Sequence, residues 1–408
     1  MRVEPINCFR PAPERAGQFA SPPYDVFDDA QARAYVAEHP ASFMEIDRPE
    51  TAFPLGQDPH APEVYAHAVK LLNDRVKDGT LLKEERPCLY AYRLEQGGHA
   101  QTGIVAAVAV DDYFDGTVRR HEQVREEKVV DRIDHITAVT AQTSPVLLAY
   151  PDDPVIDLLV GLACTGEPLY DFTDEAGVRH TVWRLSREAA AEAICATFEH
   201  VPCAYIADGH HRAEAMARMC VAAREQGDAG PREYFLSLLF PARKMCVHAY
   251  NRVVFDTNGL DEQGLVDALA SAGISVGERT ESPVEPSERR VVGLYAFGAW
   301  RELRFADVDE PAEDDPASAL DVSMLQNRVL APILGVEDPT TDKRIAFVDG
   351  ETATDELERL AGETGVAFTL YPTSLEELMA VSDAGQLMPP KSTWFAPKPA
   401  SGLFLRRI

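Results

Sequence analysis

The 408-residue sequence is short of basic side chains: 39 Lys and Arg stand against 67 Asp and Glu, a formal net charge of −28. Affinity for duplex nucleic acid comes largely from Lys and Arg neutralising phosphates, so this balance speaks against a general nucleic-acid binder. It speaks equally against an anionic membrane surface. One local cluster of Arg and Lys would still suffice for a nucleotide. No run of about 18 apolar residues occurs, so no membrane-spanning helix is expected. The start, Met1 to Pro5, lacks an apolar stretch of signal-peptide length. The seven cysteines, Cys8, Cys88, Cys164, Cys195, Cys203, Cys220 and Cys246, contain no C-x-x-C pair. That removes a zinc ribbon or redox dithiol, and the odd number fits reduced thiols better than a disulfide framework. A soluble cytoplasmic protein is the expectation. Several signatures are missing too: G-x-G-x-x-G after a strand, G-x-x-x-x-G-K-[ST], H-E-x-x-H and G-x-S-x-G. What is present is globular, at 45 % hydrophobic and 26 % charged, with length enough for two domains.

The element pattern divides the chain. Ser21-Pro22-Pro23-Tyr24-Asp25-Val26 reads as extended, because each proline fixes its own φ and keeps its predecessor out of the helical region. Asp28 to His39 reads as a helix capped by Asp28 or Asp29. Residues 59–79 read as a second, with Val64, Ala68, Leu71 and Leu72 at helical spacing. Cys88–Leu94 and Thr102–Val110 read as a hairpin. Val118 to Ala141 reads as a long charged helix. Strands are expected over Pro145–Tyr150, Val178–Leu185, Ala204–Ala207, Tyr234–Phe240 and Met245–Val254, and helices over Ala189–Phe198 and from Ala213 to Glu225. The expected organisation is a mixed α/β core over residues 1–255, then an α+β region over 256–408 whose tail, 388–408, could complete the site. In that second region Leu260–Ala272, 319–334, Asp355–Gly362 and Ser374–Ala384 read as helices and Val366–Tyr371 as a strand. Glu278–Arg289 and Ala306–Ala317 are acidic, contain proline and read as loops.

Four stretches could carry chemistry. In Ile206-Ala207-Asp208-Gly209-His210-His211-Arg212 an apolar strand runs through a glycine into a helix. A helix start favours phosphate oxygens, through its N–H groups and its dipole. Arg212, His210 and His211 add donors, and Asp208 could cap the helix, hold Arg212 or ligate magnesium. The plainer reading is a capped turn with solvated histidines. His210 and Glu214, four apart, could share a metal, a weaker option. Arg119 to Arg132 is the second stretch. On a helix His121, Arg125 and Lys128 would share a face that holds an anion, with Glu122 as a general base. The plainer reading is an exposed helix laced with ion pairs. Third, the Pro-Pro loop could present Tyr24 and Asp25. Fourth, Lys391 and Lys398, in the tail Pro389-Pro390-Lys391-Ser392-Thr393-Trp394, could neutralise a phosphate or carboxylate, or the tail could simply be docked.

Taken in order, S-P-P-Y-D-V, H-E-x-x-R-x-x-K-x-x-D-R, I-A-D-G-H-H-R, Y-N-R-V-V from Tyr250, and M-P-P-K-S-T-W-F-x-P-K resemble the domain of unknown function 1015 family along essentially the whole chain. The D-G-H-H-R turn alone is similar to the nucleotide-binding turn of the ParB/sulfiredoxin superfamily. Sulfiredoxins carry Cys where this chain has His210, so their sulfur chemistry is not expected, and the charge opposes the DNA binding of ParB proteins. The free serine kinases of that superfamily hold nucleotide phosphates on such a turn.

That resemblance implies a ParB/sulfiredoxin-like nucleotide-binding core and a kinase using ATP or ADP with Mg2+. Its acceptor would be free serine or a similar hydroxylated metabolite. Asp208, Gly209, His210, His211 and Arg212 would hold the nucleotide, with Asp208 at the metal. Glu122 and His121 would be catalytic. Tyr24, Asp25, Arg125, Lys128, Arg132, Asn251 and Lys391 would bind substrate. The partners expected are nucleotide and small molecule, with no nucleic acid and no membrane. Two other readings stay open on the same pocket: a non-catalytic nucleotide or phosphometabolite sensor, and a phosphoester hydrolase.

Overall fold

In the computed structural model, residues 1–185, 187–305 and 315–408 are described. The acidic stretch Ala306–Ala317 falls mostly on 306–314, outside the described residues. Contacts divide the chain into two compact units. The first comprises Met1–Arg119, Val124–Met245 and Pro397–Ile408; the second comprises Arg120–Gln123 and Cys246–Ala396.

The first unit is built on a nine-stranded mixed sheet. Its centre is the long strand His99–Ala109, flanked by Leu89–Gln96 and Tyr234–Pro241. The run Gly103 to Ala109 is buried throughout, as expected of a strand covered on both faces. Val146–Tyr150 pairs parallel with Tyr234–Pro241 and antiparallel with Ala204–Asp208. The helix His210–Glu225 buries Ala213, Met216, Ala217 and Cys220 in the same core as Val146, Leu148, Ile206 and Phe235. Each large apolar side chain so buried contributes roughly 1.5–3 kcal/mol. A second sheet of four short strands places Leu405–Arg407 between Cys8–Pro11 and Ala141–Gln142.

The local signals explain most element ends. Asp28 accepts from Gln31 N (2.8 Å), and Gln31 Oε1 accepts from Asp28 N (3.0 Å), a capping box that starts the helix Asp29–Glu38. Pro62 opens the helix Pro62–Lys77 from inside its first turn, where its missing N–H costs nothing.

Two expectations change. Val118–Ala141 is not one helix. Val118–Arg119 pairs parallel with Ala204 and Tyr205, and the helix runs only from Glu126 to Val139, with Arg125 at its cap. The helix after the Asp-Gly turn starts at His210, three residues earlier than expected, with Gly209 at the cap position.

The second unit holds a six-stranded antiparallel sheet, the pair Cys246–His248 with Trp394–Ala396, and the helices Glu262–Ser271, Thr354–Ala361 and Leu375–Asp383. Tyr250–Val254 pairs with Ile345–Asp349 and Val366–Leu370. This strand therefore belongs with the later sheet, whereas the sequence reading ends its first region at 255. The hairpin Val291–Ala296 with Ala299–Arg304 supplies two strands absent from the sequence reading. The stretch 319–334 contains only the helix Asp321–Leu325 and a π-helical turn, Gln326–Leu330. Both units mix helices and sheet, so the fold class is α/β with an α+β second unit.

Candidate functional site

The strand Ala204–Asp208 delivers Asp208 to the start of a 16-residue helix. Gly209 makes the turn at φ 94° and ψ 31°, a left-handed conformation that costs other residues dearly. A Cβ at Gly209 would stand 2.8 Å from Arg212 Nε, so glycine also makes room for that side chain. Asp208 is the last strand residue rather than the helix cap. Its Oδ2 accepts from Arg212 Nη2 at 3.0 Å, and Lys398 Nζ stands 3.8 Å from the same oxygen. Arg212 also donates to Pro145 O. Burial pulls the Arg212 guanidinium down, but Asp208, Tyr24, Asp25 and Asp47 together raise it above its ordinary value. The turn is thus a cationic pair braced by one carboxylate.

His211 Nε2 accepts from Arg125 N at 3.1 Å. That bond ties the turn to the start of the helix Glu126–Val139, and it fixes the imidazole hydrogen on Nδ1. Because Arg125 caps this helix, His121 and Glu122 precede it. The expected helical face of His121, Arg125 and Lys128 therefore does not form. Arg125 and Lys128 are exposed, and the Arg125 guanidinium pairs with Glu127 at 3.6 Å.

Arg132 is the second buried cation. It donates to Asp131 Oδ2 through Nε (3.0 Å) and Nη2 (2.7 Å), and Nη1 lies 3.5 Å from Asp47 Oδ1. Asp47 is 1 % exposed and also accepts from Thr143 (3.3 Å) and Ser144 (3.4 Å). The guanidinium sits 4.3 Å from the centre of the Tyr24 ring, a cation–π contact. Burial pushes the Tyr24 hydroxyl up to about 12, against the opposing pull of Arg132, so Tyr24 is a neutral donor at pH 7. Asp25 is exposed and makes no hydrogen bond or ion pair among the described residues.

The first unit therefore brings together Tyr24, Asp25, Arg132 and the turn from Asp208 to Arg212, with Lys398 added by the chain's last segment. Tyr24, Arg132 and Arg212 line one cavity. The expected residues His121, Glu122, Asn251 and Lys391 belong to the second unit. There His121 O accepts from Met388 N at 2.8 Å. Asn251 is 5 % exposed, and its Oδ1 accepts from Leu370 N at 3.1 Å, which occupies it in the sheet. Lys391 adopts φ 57°, and its ammonium lies 5.5 Å from the Tyr250 ring centre. Arg252 donates to Pro390 O (3.2 Å) and Lys391 O (2.8 Å), which holds that strained turn.

A metal has little protein to bind. Among the described residues no group of three or more His, Cys, Asp or Glu side chains could hold one. Glu214, considered with His210, is engaged by Tyr113 (2.7 Å) and Arg218 (2.8 Å).

The family model described as protein of unknown function (DUF1015) matches residues 3–323. The chain belongs to the DUF1015 family. No curated protein matches this DUF1015 chain. Among solved structures it is similar to a C-terminally truncated SbnI from Staphylococcus aureus, at 12 % identity over 74 % of this chain and 87 % of that one, with TM-score 0.39. It is similar to a free serine kinase in complex with AMP, at 16 % identity over 72 % and 87 %, with TM-score 0.36. A conserved hypothetical protein from Pyrococcus furiosus matches at 14 % identity over 74 % and 95 %, with TM-score 0.36. At that distance the likenesses assign no activity. Among the described residues no helix is long and apolar enough to cross a membrane.

Sequence reasoning missed Asp47 as the buried partner of Arg132. No motif surrounds it in Met44-Glu-Ile-Asp47. Asp131 carried a signal, since it precedes Arg132 within the quoted motif.

Proposed function

We propose that this chain is a nucleotide-dependent kinase of a small hydroxylated molecule, with free serine as the first acceptor to try. One observation carries the reading: a strand end, a left-handed Gly209 and a long helix start are combined with Arg212 and Lys398 around Asp208. Phosphoryl transfer asks a protein mainly for positioning and charge stabilisation, which such a turn supplies. In this reading Asp208, Gly209, His210, His211 and Arg212 hold the phosphates of ATP or ADP. Magnesium arrives with the nucleotide. Two cations already face Asp208 Oδ2, so we assign Asp208 an outer position at the metal. Tyr24, Arg125, Lys128 and Arg132 of the same unit orient the acceptor or balance charge, and Asp25 takes the hydroxyl proton. Asp25 suits that role as an exposed carboxylate close enough to Arg212 to raise its pKa; Glu122, the base expected from the sequence, is tested beside it.

A sensor reading is favoured by a different observation. Asp47, Asp131 and Asp208 are each engaged by an arginine, which suits a pocket that binds without turnover. The deciding experiment incubates purified protein with ATP or ADP, magnesium and L-serine, then reads phosphoserine by 31P NMR. Phosphoserine formation that Glu122→Gln or Asp25→Asn abolishes, with nucleotide affinity kept, supports the kinase. Nucleotide binding without turnover over a panel of hydroxylated metabolites supports the sensor. Phosphate release without acceptor identifies a hydrolase.

A further inference from the structure

The helix Glu126–Val139 carries a residue that the reading above does not use. His135 is fully buried. Its Nε2 meets Ile46 O at 2.9 Å. A carbonyl can only accept, so Nε2 carries the hydrogen and Nδ1 presents a bare lone pair. Among the described residues that Nδ1 has no hydrogen-bond partner. Burial, then the charge of Arg132, holds the imidazole below its ordinary pKa and so keeps it neutral.

Gln142 presents the complementary defect. It is 3 % exposed, and its Nε2 has no partner among the described residues. The amide cannot turn over to mend this. Its Oε1 accepts from Leu236 N at 2.6 Å and faces Arg406 Nη1 at 3.5 Å, so the oxygen end is fixed by two donors.

Both residues line one cavity of about 20 Å³, beside Tyr24, Arg132, Ser144 and Arg212. That space accommodates one water-sized group. A buried donor and a buried acceptor each left unmade cost free energy, and one oxygen that accepts from the first and donates to the second removes both costs.

We propose that His135 and Gln142 form a one-oxygen subsite, which takes an O–H group accepting from Gln142 Nε2 and donating to His135 Nδ1. The site lies among side chains from three of the quoted motifs, since Tyr24, Arg132 and Arg212 share its walls. Two sources supply that chemistry: a resident water, or the hydroxyl of a small alcohol-bearing substrate. The second source rests on the kinase reading; the subsite itself does not.

The first experimental arm is a crystal structure of the full chain without nucleotide, at a resolution that shows ordered solvent. One oxygen within hydrogen-bond reach of both atoms is expected. An unfilled position, or either atom bonded to a protein group, overturns the proposal. The second arm repeats the structure with L-serine and uses Gln142→Glu. That variant keeps the acceptor for Leu236 N but turns the donor into a second acceptor. A water has two hydrogens and satisfies both, so the oxygen persists and L-serine affinity stays unchanged. An alcohol has one, so a substrate hydroxyl there makes L-serine affinity fall about tenfold while ATP affinity holds. Either result assigns the source. Should the variant fail to fold, the wild-type structure still decides. Failure of the kinase reading leaves the first arm intact.

Discussion

Gly209→Ala tests the turn most directly. The backbone there is left-handed at φ 94°, which costs an L-residue about 1–2 kcal/mol. The added methyl meets Arg212 Nε at 2.8 Å and Cζ at 3.0 Å. Arg212 is 12 % exposed and bonded to Asp208 and Pro145, so it cannot withdraw without breaking those contacts. Losing a hydrogen bond to a charged group costs about 1.5–3 kcal/mol. The control is Gly177→Ala. Gly177 sits at φ 78° with nothing within 4 Å of a Cβ, so it carries the backbone cost alone. Urea-dependent hydrogen exchange, read by mass spectrometry on peptides covering 204–225 and 170–185, separates the two, because a chain of two units does not unfold as one two-state body. We expect Gly209→Ala to exceed its control by about 1.5–3 kcal/mol and to weaken ATP binding at least tenfold, with the control binding normally. Equal destabilisation and equal affinity would refute the claim that glycine is there to seat Arg212.

Arg132→Met should destabilise the first unit by about 3–5 kcal/mol, because it strands Asp47 as a buried charge. Adding Asp47→Asn should recover part of that loss, read by the same urea-dependent hydrogen exchange on peptides of the first unit. Lys398→Met should weaken ATP binding about tenfold and flatten its salt dependence, with little change in stability, as titration calorimetry at several salt concentrations would reveal. A pH effect follows from His135, whose pKa is lowered by burial and Arg132. The unfolded chain takes up that proton first as pH falls through about 6.5, so the contribution present above that value is lost on acidification, by at most about 1.4 kcal/mol per pH unit. Between pH 7.5 and 5, His135→Phe should therefore lose stability less steeply than the wild type.

Legibility in the sequence tracked how local the cause was. The capping box at Asp28 and the stop after Lys77 involve neighbours in sequence, and both elements fell where they were expected. The strand–glycine–helix turn at Asp208 was legible for the same reason. Its finer roles were not: Asp208 braces Arg212 because the helix starts at His210, a detail set by the conformation of Gly209. The charged stretch after Val118 misled, since its first two residues pair with Ala204 and Tyr205 some 86 positions away. Nothing in the order of charges announces such a partner. Asp47, His135 and Gln142 were invisible for a related reason. Each matters through what surrounds it in the folded unit, and none stands in a pattern of its own.

The division of the chain has a consequence for how the protein is made. The cation beside Asp208, Lys398, and the strand Leu405–Arg407 that joins Cys8–Pro11 to Ala141–Gln142 all follow Cys246–Ala396 in the chain. At about 5–20 residues per second, those roughly 150 residues take on the order of ten to thirty seconds to synthesise. During that interval the first unit exists on the ribosome with the pairing edges of Cys8–Pro11 and Ala141–Gln142 unjoined and its Asp208 turn one cation short. The growing chain thus passes through a stage with open strand edges and an Asp208–Arg212 turn that still lacks its last cation.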